Sequence, residues 1–299
     1  MRMFAYSTPK GEPRIGLVYE KLKYDFTRIW SIFKELKSSP RTPDLYFIQI
    51  MIEMENFSRQ AIDEVVEEVK QVRGLDDLLI RGEINFDVPI QRPSKILCLG
   101  RNYAEHAKEF QSSVPDQPMF FAKLPSALLP HEGNICIPGG IGRVDHEIEL
   151  AIVIGRTCKE IAIDEAMDVV AGYTIANDVS ARALQKEAKE KGQPWTLSKG
   201  IDTFLPIGPF LVPADAVADA HSLTMELTVN DELRQKSSTA QMVFKIPEII
   251  SFISHYVTLQ PGDIICTGTP EGVGPIVPGD LIQAKIEGLG VLRNYVIAG

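Results

Sequence analysis

An acidic segment that runs directly into an apolar strand is the feature that most restricts the fold of this chain. The segment RVDHEIELAIVIG covers residues 143–155, and its later part, residues 151–154, contains no polar side chain. Such a run is typical of a strand that is buried on both faces. Because side chains alternate along a strand, Asp145, Glu147 and Glu149 share one side. The sequence therefore predicts carboxylates that point into a protein core.

Buried carboxylates need a compensating charge, since each costs several kcal/mol alone and neighbours on one strand face repel each other. A divalent cation held by Glu147 and Glu149 would supply that charge, and Asp178, at the end of the run GYTIAND, could add a third ligand. Three carboxylates without clustered histidine or cysteine favour Mg²⁺ or Mn²⁺, with Ca²⁺ as an alternative. The competing interpretation is the solvated face of an amphipathic edge strand. Asp145 fits equally well as a loop residue or as a support for the ligands.

A second motif, GRNYAEHAKEF, follows the apolar run KILCLG. Asn102 with Glu105 three residues later predicts a capping box and a helix that begins at Tyr103. His106 and Glu109 would then lie on one face of that helix, where the carboxylate could orient the imidazole and raise its basicity. The alternative for His106 is a packing or surface role.

Further polar residues are candidates for binding an anionic substrate. Arg182 and Gln185 follow Asp178 near the start of a predicted helix, and Lys199 in WTLSKGIDTF could add a second positive group. Thr269 lies in the glycine-rich turn TGTPEGVG, whose backbone amides could approach an anion closely. The alternatives are exposed helix charges, an ordinary surface lysine and a tight loop.

Composition and charge exclude several classes of function. The chain has 31 basic and 40 acidic residues, a net charge of −9, and no basic run interleaved with aromatic residues, so we expect no nucleic-acid partner. No apolar run reaches the ~18 residues of a membrane span, and the N-terminus lacks the apolar stretch of a secretory signal. We therefore expect a cytoplasmic protein without a membrane segment. The scattered cysteines form no CxxC pair and are predicted to be reduced thiols, mostly in the core; they are Cys98, Cys136, Cys158 and Cys266.

The chain divides near residue 92. Residues 3–6 and 14–19 predict a hairpin, residues 57–72 predict an amphipathic helix, and the segment FDVPIQRPSK is typical of a linker. Beyond it, apolar runs separated by glycine and proline turns predict a β-rich α+β domain with a closed or rolled sheet. Shorter helical patterns in this part cover residues 102–110, 163–170, 181–191 and 247–254.

Five motifs in this order resemble the fumarylacetoacetate hydrolase family; they are GRNYAEHAKE, DHEIELAIVIG, GYTIANDVSARALQ, GQPWTLSKGIDTFLPIGP and GDIICTGTPEGVG. GQPWTLSKG and NDELRQKSSTAQMVFKIPEII are most similar to the branch that contains acylpyruvases and oxaloacetate decarboxylases. The resemblance implies a mixed β-sandwich roll for residues 93–299, a small accessory domain in residues 1–92, and a homodimer.

The resemblance also implies roles for individual residues. Mg²⁺ or Mn²⁺ ligands are implied at Glu147, Glu149 and Asp178, catalytic residues at His106, Glu109 and Lys199, and substrate contacts at Arg182, Gln185 and Thr269. Two departures leave the substrate open: Ala183 replaces the family's common aspartate, and Gly200-Ile201 replaces its small-polar and aromatic pair.

The activity implied by the resemblance is metal-dependent cleavage of a carbon–carbon bond in a small 2-oxo acid. An acylpyruvate hydrolase would use His106 to activate water, whereas an oxaloacetate decarboxylase would release CO₂ without a hydrolytic water. In both, the cation would act as a Lewis acid at the keto oxygen. The alternatives are a 2-hydroxyhepta-2,4-diene-1,7-dioate isomerase or a related decarboxylase of aromatic catabolism, and a catalytically silent family member.

Overall fold

The computed structural model describes residues 1–39, 42–109 and 112–299 and is rich in β-structure. The strands are β1 Arg2–Ser7, β2 Pro13–Tyr19, β3 Leu22–Asp25, β4 Asn85–Asp87, β5 Ile96–Gly100, β6 Met119–Lys123, β7 Leu128–Leu129, β8 Asn134–Ile137, β9 Val144–His146, β10 Ile148–Ile154, β11 Val170–Asn177, β12 Ser180–Ala181, β13 Leu205–Pro213, β14 Thr224–Val229, β15 Glu232–Ser238, β16 Ile264–Cys266, β17 Gly274–Ile276, β18 Leu281–Ile286 and β19 Gly290–Ala298. The helices are α1 Phe26–Leu36, α2 Ile48–Glu53, α3 Arg59–Arg73, α4 Ala104–Glu109, α5 Arg182–Glu190, α6 Thr196–Lys199 and α7 Ile246–Tyr256.

The largest sheet places the predicted acidic strand near its centre. Its order is β3-β2-β1-β13-β11-β10-β16-β5-β6, with β4 paired to β1 and β7 paired to β13. Every residue of β10 is buried, and β10 pairs with β11 on one side and β16 on the other. The prediction of a strand buried on both faces is confirmed, and the solvated edge strand is wrong. Two smaller sheets, β12-β9-β17 and β15-β14-β18-β19-β8, complete the β-rich α+β fold that the sequence predicts.

The two faces of β10 pack into different hydrophobic cores. Leu150 and Ile152 belong to a core that includes the buried face of α7 and the inner residues of β14 and β18. Ala151 and Val153 belong to a second core, built largely from residues of the first ninety positions. Because alternate residues share a face, Glu149 lies on the side of Ala151 and Val153. The N-terminal segment therefore packs on the part of this sheet face that lies beyond Glu149, around Ala151 and Val153.

The predicted N-terminal hairpin and the helix at 57–72 are confirmed. Strands β1 and β2 pair in antiparallel fashion, and α3 begins after Ser58, whose hydroxyl accepts a 3.1 Å hydrogen bond from the Ala61 amide. Strand β1 also pairs with β13, so the N-terminal strands extend the large sheet. The sequence pattern predicts neither α1 nor α2. The domain boundary near residue 92 stays a prediction.

The remaining helical predictions have mixed outcomes. The patterns at 181–191 and 247–254 are confirmed as α5 and α7, whereas 163–170 is a 3₁₀ helix over Ile163–Val169. The helix predicted at 102–110 is α4, and Phe110 lies outside the described residues. The capping box is wrong: the Asn102 amide group donates to the Thr267 carbonyl at 2.8 Å and accepts from the Phe244 amide at 2.8 Å. Among the described residues, no helix has the length and apolarity that a bilayer crossing requires.

Candidate functional site

Three buried carboxylates meet where β10 begins and β11 ends. Glu147 immediately precedes β10, Glu149 is its second residue, and Asp178 follows β11. One carboxylate oxygen from each lies within 4.8 Å of the other two, and no more than 4% of any of the three residues is exposed. The antiparallel pairing of β10 with β11 creates this arrangement, and the Asp178 amide donates to the Glu147 carbonyl at 2.8 Å.

Cationic side chains compensate two of these carboxylates. The Lys199 ammonium donates to Glu147 at 2.8 Å and to Asp178 at 2.7 Å, Lys123 donates to Asp178 at 2.6 Å, and Arg182 contacts Glu147. Burial alone would raise the pKa of Glu147, but Arg182 and Lys199 outweigh it and hold that pKa well below its usual range. Burial alone would lower the pKa of Lys199, but Asp178 and Glu147 raise it. These two carboxylates therefore favour the ammonium form of Lys199 in the metal-free site.

Glu149 has a different environment. Its carboxylate accepts a 2.8 Å hydrogen bond from the Gly268 amide and forms no ion pair with any described residue. Burial, and then repulsion from Asp178, raise the pKa of Glu149 well above its usual range. A buried carboxyl that lacks a countercharge, beside two other carboxylates, fits a hard divalent cation with oxygen ligands, such as Mg²⁺, Mn²⁺ or Ca²⁺.

Asp145 belongs to a neighbouring ion-pair group. Its fully buried carboxylate accepts from Arg143 and from Arg182, each at 2.7 Å. Arg182, the first residue of α5, also donates to Gln185 at 3.0 Å and contacts Glu147. Asp145 therefore orients Arg182, which in turn contacts Glu147. Of the two alternatives for Asp145, the structure favours a support for the ligands over a loop residue.

His106 and Glu109 lie on one face of α4. The His106 Nδ1 atom is 3.3 Å from a Glu109 carboxylate oxygen, and the other oxygen accepts from the Gly272 amide at 3.3 Å. Burial lowers the pKa of His106 below its ordinary value, and Arg182 adds to this effect against the opposing pull of Glu147 and Glu109. The imidazole is therefore neutral near pH 7 and has a lone pair that can accept a proton.

One small cavity joins these groups. Its volume is about 40 Å³, and its lining comprises Leu99, Gly100, Arg101, His106, Ser112, Phe121, Glu147, Glu149, Arg182, Gln185, Lys189, Trp195, Lys199 and Thr269. A larger cavity of about 530 Å³, near Arg2 and Lys285, has no buried acidic cluster among the residues that the structure describes, so the chemistry favours the smaller one.

The structure adds residues that the sequence pattern does not reveal. Lys123 contacts Asp178 as described above, and the Asn177 side chain accepts from the Glu147 amide at 2.8 Å. For Lys123 the usable signal is a lysine inside the apolar run MFFAKL. For Asn177 it is the position directly before Asp178. Gln235, which bonds to Thr269 at 2.9 Å, lies in a polar hairpin strand and has no such signal.

Comparisons with known proteins agree with this geometry. Residues 95–297 match the family model described as fumarylacetoacetate (FAA) hydrolase C-terminal. The mitochondrial oxaloacetate tautomerase of Bos taurus is 48% identical over 227 residues, which cover 74% of this chain and 72% of that protein. The fumarylpyruvate hydrolase of Pseudomonas aeruginosa, solved in complex with Mn²⁺ and pyruvate, is 35% identical with a TM-score of 0.67 and covers 74% of this chain and 94% of its own. The structure of the 2-hydroxyhepta-2,4-diene-1,7-dioate isomerase of Mycobacterium marinum is 30% identical to this chain, with a TM-score of 0.74. The match covers 100% of this chain and 98% of the isomerase chain.

Proposed function

Because the chain belongs to the fumarylacetoacetate hydrolase family, we propose that it converts a small 2-oxo acid with a divalent cation held by Glu147, Glu149 and Asp178. The observation that carries this proposal is the convergence of three buried carboxylates, two of which, Glu147 and Glu149, line one cavity together with His106. The named relatives include a tautomerase, a hydrolase and an isomerase. Each of these reactions can proceed through negative charge on the oxygen at carbon 2 of the substrate, which is a keto or an enol oxygen.

The residues around the carboxylates have different roles in the proposed reaction. When bound, a divalent cation supplies Lewis-acid stabilisation of the charge that develops on the keto oxygen. Lys199 and Lys123 hold Glu147 and Asp178 in place through the short contacts described above. Arg182, Gln185 and Thr269 line the cavity, and we assign them to the substrate's carboxylate and keto group.

His106 is the proposed proton carrier. A Glu109 carboxylate accepts the proton on Nδ1, which leaves the lone pair on Nε2. Nε2 can then take a proton from the carbon beside the keto group, or from a water molecule, and return it later in the reaction. Glu109 is itself oriented by the Gly272 amide.

Interconversion of the keto and enol forms of oxaloacetate is the reaction we place first. It requires only a proton transfer between carbon and oxygen, which His106 can perform beside a stabilised keto oxygen. The 48% identity to the Bos taurus oxaloacetate tautomerase supports this choice.

Hydrolysis of an acylpyruvate is the second candidate. The pairing of a neutral His106 with Glu109 favours it because such a pair can activate water, and the Pseudomonas aeruginosa structure is a fumarylpyruvate hydrolase. Decarboxylation of oxaloacetate and isomerisation of the dienedioate develop the same charge at the keto oxygen, so the test must include them.

A substrate panel with a matched variant tests the proposal. Oxaloacetate, acetylpyruvate, fumarylpyruvate and 2-hydroxyhepta-2,4-diene-1,7-dioate are each assayed with Mg²⁺, with Mn²⁺ and with EDTA. We expect turnover of at least one substrate that EDTA abolishes and that Glu147→Gln, which keeps the side-chain shape but removes the charge, also abolishes. Wild-type rates equal to those of Glu147→Gln on all four substrates would reject the proposal and favour a catalytically silent protein.

A further inference from the structure

Gln235 connects two parts of the site from a different sheet. It lies on β15, and its side chain is completely buried although both of its chain neighbours are exposed. Its amide makes four hydrogen bonds, which use both of its donor protons and both of its acceptor positions. A buried amide with every position occupied has one defined orientation, and each partner's role follows from it.

Two backbone groups determine that orientation. The Ile148 N–H, which can only donate, faces Gln235 Oε1 at 3.1 Å. The Pro270 carbonyl, which can only accept, faces Gln235 Nε2 at 2.9 Å. The reversed amide would place two donors together at Ile148 and two acceptors together at Pro270, so it is excluded.

The orientation decides the role of the Thr269 hydroxyl. The second Nε2 proton of Gln235 points to Thr269 Oγ1 at 2.9 Å, so this oxygen accepts there and its own proton must point elsewhere. No described residue accepts that proton, and Thr269 lines the cavity together with His106 and Glu147. The hydroxyl is therefore available as a donor to a group that enters the cavity.

The same orientation defines a histidine tautomer. Gln235 Oε1 is 3.0 Å from His146 Nδ1, and because an amide oxygen can only accept, His146 must carry its proton on Nδ1.

We propose that Gln235 is a positioning residue that makes Thr269 a hydrogen-bond donor toward an anionic oxygen of the substrate. This inference rests on the proposed function and extends it, since Gln235 also bonds to the Ile148 amide between Glu147 and Glu149. The turn that carries Thr269 lies directly on β15: a Cβ at Gly272 would be 2.3 Å from the Arg234 carbonyl oxygen. Gln235 thus holds the hydroxyl in a constant position relative to the two glutamates.

A double-mutant cycle on the Mn²⁺-loaded protein, with oxalate as the anionic probe, tests the proposal. Gln235→Glu replaces the donor with an oxygen that captures the Thr269 proton, and Thr269→Val removes the hydroxyl at constant shape. We expect each to weaken oxalate binding by about 10- to 100-fold, the range for a hydrogen bond to a charged group. The double variant should be no more than about 3-fold weaker than the worse single variant, because both remove the same donor. The control is Thr174→Val, since the buried Thr174 hydroxyl has no partner among the described residues.

Mn²⁺ affinity, measured separately by calorimetry, distinguishes positioning from a general structural role. It should stay within about 3-fold of wild type in Gln235→Glu, whereas a structural defect would lower it as much as oxalate affinity. Multiplicative effects of the two substitutions on oxalate binding, or no effect of Gln235→Glu, would overturn the proposal.

If Gln235→Glu does not fold, the orientation of the Gln235 amide can still be tested in the wild-type protein. ¹⁵N NMR determines which ring nitrogen of His146 carries the proton. Protonation on Nδ1 supports the amide orientation, and protonation on Nε2 overturns it. Coupled oxalate binding in a protein that turns over no member of the substrate panel would reject the proposed function but retain this inference. Turnover of a panel substrate without coupling between Gln235 and Thr269 would retain the proposed function and reject this inference.

Discussion

Asp263 and Glu149 are both buried carboxyls at strand ends, but their surroundings are opposite. Asp263 is 0% exposed and accepts from the Ser94 hydroxyl, the Gln260 amide, and both the amide and the ammonium of Lys95. Glu149 is 1% exposed, accepts from the Gly268 amide, and faces Asp178. Hydrogen-bond donors and the Lys95 ammonium compensate the negative charge of Asp263. Glu149 has one backbone donor and lies beside other carboxylates, so its negative charge is not compensated.

This difference separates a structural carboxylate from a candidate ligand. Burial and acidity are common to both, so neither property identifies the site. What identifies it is a charge deficit shared by several carboxylates, because a buried polar group without partners is unfavourable unless something else binds it. Asp263 ties β16 to the segment before β5, whereas Glu149 is suited to an external cation.

His106→Ala should have the largest effect, because it should lower the reaction rate and leave Mn²⁺ binding by the carboxylates intact. We expect kcat to fall by about 10²- to 10⁴-fold, the typical contribution of a general base, while Mn²⁺ affinity changes by less than about 3-fold. Steady-state kinetics on the accepted substrate and calorimetric Mn²⁺ titration measure the two quantities. Equal losses in both would contradict the assignment of His106 as proton carrier.

Glu149→Gln tests the charge deficit directly. We expect Mn²⁺ affinity to fall by more than about 100-fold, beyond the loss seen when a residue that only supports a ligand is removed. The metal-free variant should be at least as stable as wild type, since the neutral amide removes repulsion from Asp178. Calorimetry and thermal melting in EDTA provide the measurements, and unchanged Mn²⁺ affinity would refute the ligand role.

Asp263→Asn is the matched substitution at the structural carboxylate. We expect the free energy of unfolding to fall by about 2–3 kcal/mol, because the amide leaves Lys95 without its partner and places donors against donors. The Mn²⁺ affinity of the folded variant should stay within about 3-fold of wild type. Urea unfolding measures the stability, and Mn²⁺ titration measures the affinity. A variant with weakened Mn²⁺ binding and unchanged stability would contradict the structural role of Asp263.

The pH dependence of stability gives the most gradual of these effects. The pKa of Glu149 is raised in the folded state, so its contribution to stability is complete below the unfolded pKa of 4.5 and is lost as pH rises through the folded pKa. Metal-free wild type should therefore lose stability relative to Glu149→Gln as pH rises above 4.5, by at most about 1.4 kcal/mol per pH unit. Urea unfolding of both proteins between pH 5 and about pH 8 measures this difference. Parallel stability curves would show that Glu149 is ionised in the folded protein without a cation.

The sequence predicts the parts of this comparison that depend on local pattern. Alternation predicts that Glu147 and Glu149 point the same way, and they do converge, although the strand is interrupted at Glu147 so that Asp145 lies on β9 in another sheet. Helical spacing brings His106 to Glu109. Gln235 could not be predicted, because its partners are 34 to 89 residues away and its hairpin is otherwise polar. Pattern also cannot show that Lys123 reaches Asp178, since that contact depends on how distant strands pair.

A crystal structure of the protein grown with Mn²⁺, with the ion located by its anomalous scattering, tests the central claim most directly. We predict a single strong peak in direct contact with carboxylate oxygens of Glu147, Glu149 and Asp178, and no peak at Asp263. Carboxylates that stay bonded only to Lys199, Lys123 and Arg182 at saturating Mn²⁺, with no peak between them, would contradict it.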